Sequence, residues 1–411
     1  MKALRALVEA FRIAVGAIRA NTARGVLTTL GIIIGIVAVA TTMTAANGLA
    51  NAFRESASVI GTDVLFVSRT PWIFTGRFFQ FRNRPNLTLK EGDRLQRELR
   101  SAIAVNPTAG TQRAIKVGSE TRDNIRIIGT THKHMLVSSA VPESGRFFNA
   151  YDVQSKRRVC VIGTTIREQL YGDRDPVNTV MRVGRAEFRV IGVMEPQGSA
   201  GFFGGPDFDS QVFIPVTTFT KLFGGNNRNF DFAVRAPAGV DLDDYEYEVV
   251  GEMRKIRKLA PSDEDNFSIN KMESLLDAFD NVMRVVLMVG LAITGISLFV
   301  GGVGVMNIMF VSVTERTREI GIRKAIGATR RSILSQFLLE SSIICLLGGA
   351  IGVILSFAVA AAIDRFVMPA SVSLPIVTVA LVVSFLTGVF AGLVPAWRAS
   401  RLDPIEALRY E

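Results

Sequence analysis

The chain has 411 residues, 48% of them hydrophobic and 20% charged, with a net charge of +10. So apolar a composition excludes an ordinary soluble protein, and so many charges exclude a wholly embedded one; a few spanning helices plus a sizeable water-exposed domain fit both. Lys and Arg nearly balance Asp and Glu across 47–282 and exceed them around the apolar segments, so the excess follows the positive-inside bias and excludes nucleic acid as a partner.

Residues 1–24 read as a cytoplasmic amphipathic helix. Leu4, Leu7, Val8, Phe11, Val15 and Ile18 share one face; Lys2, Arg5, Glu9, Arg12 and Arg19 share the other. Such a helix lies in the headgroup layer against membrane lipids or packs on another protein surface, and the sequence fits either. The run 25–46 is the first transmembrane helix. Its 22 residues exceed the roughly 7–15 of a signal-peptide core, so an uncleaved anchor is expected. Gly31 and Gly35 give it a small-xxx-small face.

Residues 47–282 read as an extracytoplasmic α+β domain with helical stalks. The first helix is expected to continue over 51–60. Strands are expected near 63–68, 113–117, 124–129, 157–163, 179–183 and 186–194, the last two joined by a hairpin at Gly184-Arg185. Thr88 and Glu91 form a capping box that opens a helix to about Ala102. Further helices are expected over 164–171, 216–223 and 241–259, and a break between subdomains near residue 109. The aromatic and basic stretch 71–85 reads as a packed loop, or as a contact for lipid or a partner. Gly198 to Asp209 lacks the Lys-Ser/Thr of a phosphate cradle and reads as a flexible connection. From Ile269 through Val286 apolar residues recur every three or four positions, a stripe that carries a stalk helix into the membrane.

Transmembrane helices are expected over 283–312, 333–362 and 374–397, each long enough for about 30 Å of hydrocarbon. Residues 363–373 form a short outer loop and 398–411 a cytoplasmic tail. Gly301, Gly302 and Gly304 in the second span, Gly348 and Gly352 in the third, and Gly388 and Gly392 in the fourth allow close helix packing. The spans show no wide polar path, Arg284 lying at an end. Cys160 and Cys345 lie in different regions and are expected as small buried thiols without a disulfide.

No motif for catalysis is present: no Walker lysine, HExxH, GxSxG or CxxC. His132 and His134 form an HxH without a third ligand, so surface histidines are expected and no metal site. The most specific feature is the connector at 313–332, where Ile320, Ile322 and Ile326 interleave with Arg318, Glu319, Arg323, Lys324, Arg330 and Arg331. A solvated positive loop needs the arginines but not the isoleucines, so a protein-docking segment is the sharper reading.

The run VGGVGVMNIMFVSVTERTREIGIRKAIGATRRSILSQFLLES resembles the signature of the FtsX-like permeases of MacB-type ABC transporters. LTTLGIIIGIVAVA, SGRFF at 144–148, VIGTTIREQLYG at 161–172, DPVNTVMRVGRAEFRVIGVM at 175–194 and QVFIPVTT at 211–218 resemble it too. The resemblance implies a homodimer of four-span subunits in the bacterial inner membrane, both termini cytoplasmic. It implies a separate ABC ATPase subunit that binds the ATP and Mg, with no cofactor on this chain. A periplasmic adaptor and an outer-membrane channel are further implied partners. The ATPase-coupling segment carried over comprises Glu315, Arg316, Arg318, Glu319, Arg323, Lys324, Gly327, Ala328 and Arg330. Charge reversal at Arg323 and Lys324 is expected to uncouple it. The function implied is export of a drug, peptide or lipid-like substrate. Two alternatives stay open: a non-transporting regulator of a cell-wall enzyme, and a lipoprotein-extracting permease, which requires an apolar groove in the outer domain.

Overall fold

The computed structural model describes residues 22–58, 63–73, 76, 79–197, 208–225, 227–366 and 371–409. The amphipathic helix expected over 1–24 lies, up to residue 21, outside these, as does most of the glycine-rich loop. The chain forms two compact units: Asn51–Asp280, and Met1–Ala50 together with Asn281–Glu411.

In chain order, helix α1 spans Thr22–Ser58. Strand β1 (Val64–Ser68) follows, then α2 (Leu89–Glu98), opened by the expected capping box, in which the Thr88 N–H donates to Glu91 Oε2 at 2.6 Å. Next come β2 (Ala104–Val117), β3 (Glu120–Thr130), β4 (Pro142–Gly145), β5 (Val159–Ile162) and α3 (Thr164–Tyr171). The hairpin β6 (Val180–Val183) and β7 (Ala186–Met194) turns at Gly184, φ +58°. After β8 (Gln211–Pro215) come α4 (Val216–Phe223), β9 (Asp231–Arg235), α5 (Leu242–Arg257) and β10 (Ser268–Lys271). Helices α6 (Met272–Glu315), α7 (Thr317–Ala325), α8 (Arg330–Phe366), α9 (Leu374–Arg401) and α10 (Pro404–Arg409) complete the chain.

Ten strands join in the order β10-β1-β9-β2-β3-β8-β5-β7-β4, with β6 bridging β2 and β7. The pairings β2-β3-β8-β5-β7-β6-β2 therefore close a ring, which removes free edges there. Ile115, Ile127, Val161, Met181, Val183, Phe188 and Val212 are buried within this domain's core. The break expected near residue 109 does not part the domain. β2 runs through it and changes partner, pairing with β9 over Ala104–Thr108 and with β3 from Ala109. Pro107 and Gly110, which read as breakers, fall at this exchange. There Asn106 is fully buried, donating to Thr130 Oγ1 at 3.0 Å and accepting from Thr131 Oγ1 at 2.7 Å.

Other expectations change in detail. The helix from Thr88 stops at Glu98, because Ile103 already donates its N–H to the Arg235 carbonyl at 3.0 Å. Ile269 belongs to β10 rather than to the stalk stripe, and α6 starts at Met272. His134 is half-buried, its ring 5.6 Å from that of Phe147 and 5.1 Å from that of Phe213.

In the other unit, α1, α6, α8 and α9 are each long and apolar enough to cross a membrane. They approach where side chains are small. A Cβ on Gly31 would lie 3.2 Å from the Gly301 Cα, and one on Gly388 would lie 2.5 Å from the Ser342 Cα. Gly35 meets Leu298, Gly348 and Gly352 meet Ile32 and Ile36, Gly392 meets Ser341, and Gly302 faces Thr387 and Ala391. Gly304 is half-buried on α6. Both cysteines are buried free thiols, and Ser384 Oγ donates to the Cys345 carbonyl at 2.5 Å.

Gly388→Ala sets a methyl against backbone and is expected to cost about 1–3 kcal/mol, read as a lower melting temperature in detergent. Gly295→Ala, which meets no atom within 4 Å, is expected to leave that temperature unchanged. Burial pushes the His134 imidazole down to about 4 from 6.5. The unfolded chain therefore binds the extra proton, and the stability present above pH 6.5 is lost as pH falls toward 4. Denaturant titrations at several pH values are expected to show that slope, flattened in His134→Phe.

Candidate functional site

The connector between α6 and α8 folds as a fixed corner. α6 ends at Glu315, and Arg316 leaves helical geometry with φ −104° and ψ 16° before α7 begins. Arg316 Nη1 then donates to Glu340 Oε1 at 3.0 Å, and Arg323 Nη1 donates to Gln336 Oε1 at 3.0 Å. Gln336 and Glu340 stand one turn apart on α8, so both arginines reach the same helix face. A third tether is Lys324, whose Nζ donates to the Leu402 carbonyl at 2.5 Å, beyond the end of α9. Burial, with Arg330 nearby, holds the Lys324 ammonium below its usual range, and Asp403 opposes this.

α7 buries Thr317, Ile320 and Gly321. Gly327 adopts φ +101°, a conformation suited to glycine, and ends the helix: its N–H donates to the Lys324 carbonyl and that of Ala328 to the Arg323 carbonyl, at 3.1 and 3.0 Å. Ala328 packs on the bundle core. Glu315, Arg318, Glu319, Gly327 and Arg330 stay exposed. The nine coupling residues thus divide. Arg316, Arg323 and Lys324 face inward to partners on this chain, so reversing Arg323 or Lys324 loosens the corner itself.

Sequence reasoning missed Glu340. Its side chain is 2% exposed, and it alone is charged between Arg331 and Asp364. That solitary acid in an apolar run is the signal that finds it, because an ionised group there requires a partner.

The upper parts of α1 and α6 meet within the strand-rich unit. The rings of Phe53 and Phe279 stack at 4.2 Å, and Arg54 Nη2 donates to Asp280 Oδ1 and Oδ2 at 3.1 and 2.9 Å. These pairs tie α1 to α6 within the strand-rich unit.

The family profile of the MacB-like periplasmic core domain matches residues 26–252, and that of the FtsX-like permease C-terminal region matches residues 291–404. The chain belongs to the MacB-like permease family. It is 33% identical over 413 residues to a macrolide export ATP-binding/permease protein MacB of Bdellovibrio bacteriovorus, covering 99% of this chain and 62% of that one. A protein of the same name from an Azoarcus species is 36% identical over 98% of this chain and 60% of its own. The chain thus spans about three fifths of these curated relatives' length. A crystal structure of the periplasmic region of MacB from Actinobacillus actinomycetemcomitans aligns at 17% identity and a TM-score of 0.45, over 55% of this chain and 95% of that one. The family, with its four apolar helices, places the chain among multi-pass inner-membrane ABC transporter permeases.

Removing one member of a buried pair costs about 3–5 kcal/mol, because it strands a charge. Arg316→Met, which strands Glu340, is expected to lower the melting temperature more than Glu340→Gln. The double variant is expected to recover much of the loss, and a thermal double-mutant cycle measures that coupling.

Proposed function

We propose that the chain couples ATP hydrolysis on the cytoplasmic side to movement of its extracytoplasmic domain, for export of a drug, peptide or lipid-like substrate. An ABC ATPase, supplied as a separate subunit, binds ATP and Mg and docks on the exposed side of α7. Both chain termini are cytoplasmic in this reading. One observation carries it: α6 is a single helix from Met272 to Glu315. At about 1.5 Å per residue its 44 residues extend roughly 66 Å, twice the hydrocarbon thickness. The helix thereby has residues in the strand-rich unit, up to Asp280, and in the unit that holds the connector.

The chain works as a homodimer in this proposal. α6 is the least buried of the four spans and exposes Val289, Ile293, Ile296, Phe299 and Val300. A periplasmic adaptor and an outer-membrane channel would receive the cargo.

Reconstitution with the ATPase tests this. Arg318→Glu with Arg330→Glu, both exposed, is expected to reduce permease-stimulated ATP hydrolysis at least about tenfold, the size of a hot-spot loss, at unchanged melting temperature. Stimulation equal to that of the unaltered chain overturns the docking reading, and hydrolysis without vectorial release of any cargo favours the regulator.

A further inference from the structure

α6 and α9 leave a groove of about 430 Å³ between them, within the helical unit. Gly295, Leu298, Gly302 and Met306 line it from α6, and Thr387 and Phe390 from α9. The glycines make the room: a Cβ on Gly295 would meet no atom within 4 Å, and one on Gly302 would lie 3.6 Å from Thr387 Cγ2. Thr387 offers the groove its methyl, because its Oγ1 donates to the Val383 carbonyl of its own helix at 2.8 Å. Phe299 and Phe390 stand at the mouth, 72% and 71% exposed, so the groove opens outward. At 3.6 residues per turn its α6 stripe lies about a third of a turn from Val289, Ile293, Ile296 and Val300, the face offered above to a second copy, with Phe299 between the two.

Two features say what fills it. The first is length. From Gly295 to Met306 the groove follows α6 for about 16 Å, and one leaflet supplies about half of the roughly 30 Å of hydrocarbon. The second is charge. One turn beyond Met306, Phe310 carries Arg398 over its ring, the Arg398 Cζ 5.3 Å from the centroid. Arg398 lies about three turns beyond Thr387 on the same face of α9. Arg401, on the next turn, is held over the Trp397 ring at 4.1 Å. Both arginines are exposed, and neither pairs with an acid among the described residues. Asp403, the acid nearest in sequence, turns to α10, where its Oδ1 accepts from the Ile405 N–H at 2.8 Å. An apolar channel one leaflet long that ends at a fixed guanidinium matches an acyl chain that ends at a phosphate, whose oxygens accept the paired N–H groups of arginine. Two unpaired cations favour a headgroup of net negative charge.

We infer that the groove holds an acyl chain of an anionic phospholipid from the leaflet on the connector's side, with the phosphate on Arg398. The site is independent of the docking on α7, which takes no part in it.

The test uses the purified full chain, stripped of lipid in detergent and titrated with phosphatidylglycerol under native mass spectrometry. A tightly held phosphatidylglycerol on each chain is expected at concentrations where phosphatidylcholine of the same acyl chains is not retained. Gly295→Leu, which fills the groove, and Arg398→Gln, which removes the cation, are each expected to weaken that binding about tenfold. Unchanged binding in either variant overturns the inference. An equal loss in Arg331→Gln, an exposed cation on α8, overturns it in favour of general attraction to anionic lipid. A change in the number of chains per particle in Gly295→Leu overturns it in favour of a second copy of the chain in the groove. Independently, the unaltered chain in phosphatidylcholine vesicles is exposed to phosphatidylglycerol carrying a photoreactive acyl chain. Adducts are expected on Gly295–Met306 and Thr387–Phe390, and excess unlabelled phosphatidylglycerol is expected to suppress them. Adducts spread equally over Val289, Ile293 and Ile296 overturn the inference.

Discussion

Apolar side chains in a bilayer gain little by facing one another rather than lipid. Association of the spanning helices depends instead on how closely their backbones approach, since dispersion falls steeply with distance. Here the approach is made at Gly31 against Gly301, between α1 and α6, and at Gly388 against Ser342, between α8 and α9. Hydroxyls strengthen the second seam, where Ser384 reaches the Cys345 carbonyl across the interface. A methyl on Gly388 would meet backbone at 2.5 Å and force α8 and α9 apart, whereas one on Gly31, 3.2 Å from the Gly301 Cα, asks the neighbour to give by a few tenths of an ångström.

Among the described residues of this bundle, buried charge sits at one corner. Holding Glu340 at 2% exposure is costly unless a cation meets it, and Arg316 does so at the bend between α6 and α7. Arg323 meets Gln336 one turn away, and Lys324 ties the same short helix to the chain beyond α9. α7 is therefore fastened to two spans and is not a free loop. Detaching it would break a pair of charges away from water.

Much of this was legible in the sequence, and the parts that were not share a physical cause. The spans, the stalk and the connector announce themselves by period and by charge asymmetry, both local properties. β8 and β9 do not, because Gln211–Pro215 is buried at every position and Asp231–Arg235 at three of five, so neither alternates. β2 is hidden for a different reason: Pro107 and Gly110 look like terminators, yet they sit where the strand exchanges β9 for β3. At the connector, residue type identified the segment, but not which cations point outward. Only the positions of Gln336, Glu340 and Leu402, brought there by tertiary packing, decide that Arg316, Arg323 and Lys324 are held within the chain.

The outer domain is joined to the stalk through paired strands. β10 runs directly into α6, and β10 pairs antiparallel with β1, the first strand after α1. Their register is set by four residue pairs from Leu65–Lys271 to Ser68–Ser268. A slip of one residue would turn each buried side chain to the other face, so the pairing resists sliding. Lys271 is braced further by Asp243 and Glu246 on α5. The stalk contact is weaker: the exposed Arg54–Asp280 pair is worth about 0.2–1 kcal/mol, and the stacked Phe53 and Phe279 about 0.5–1.5 kcal/mol. The strand pairing is therefore the firmer of the two links between the segments that follow α1 and precede α6.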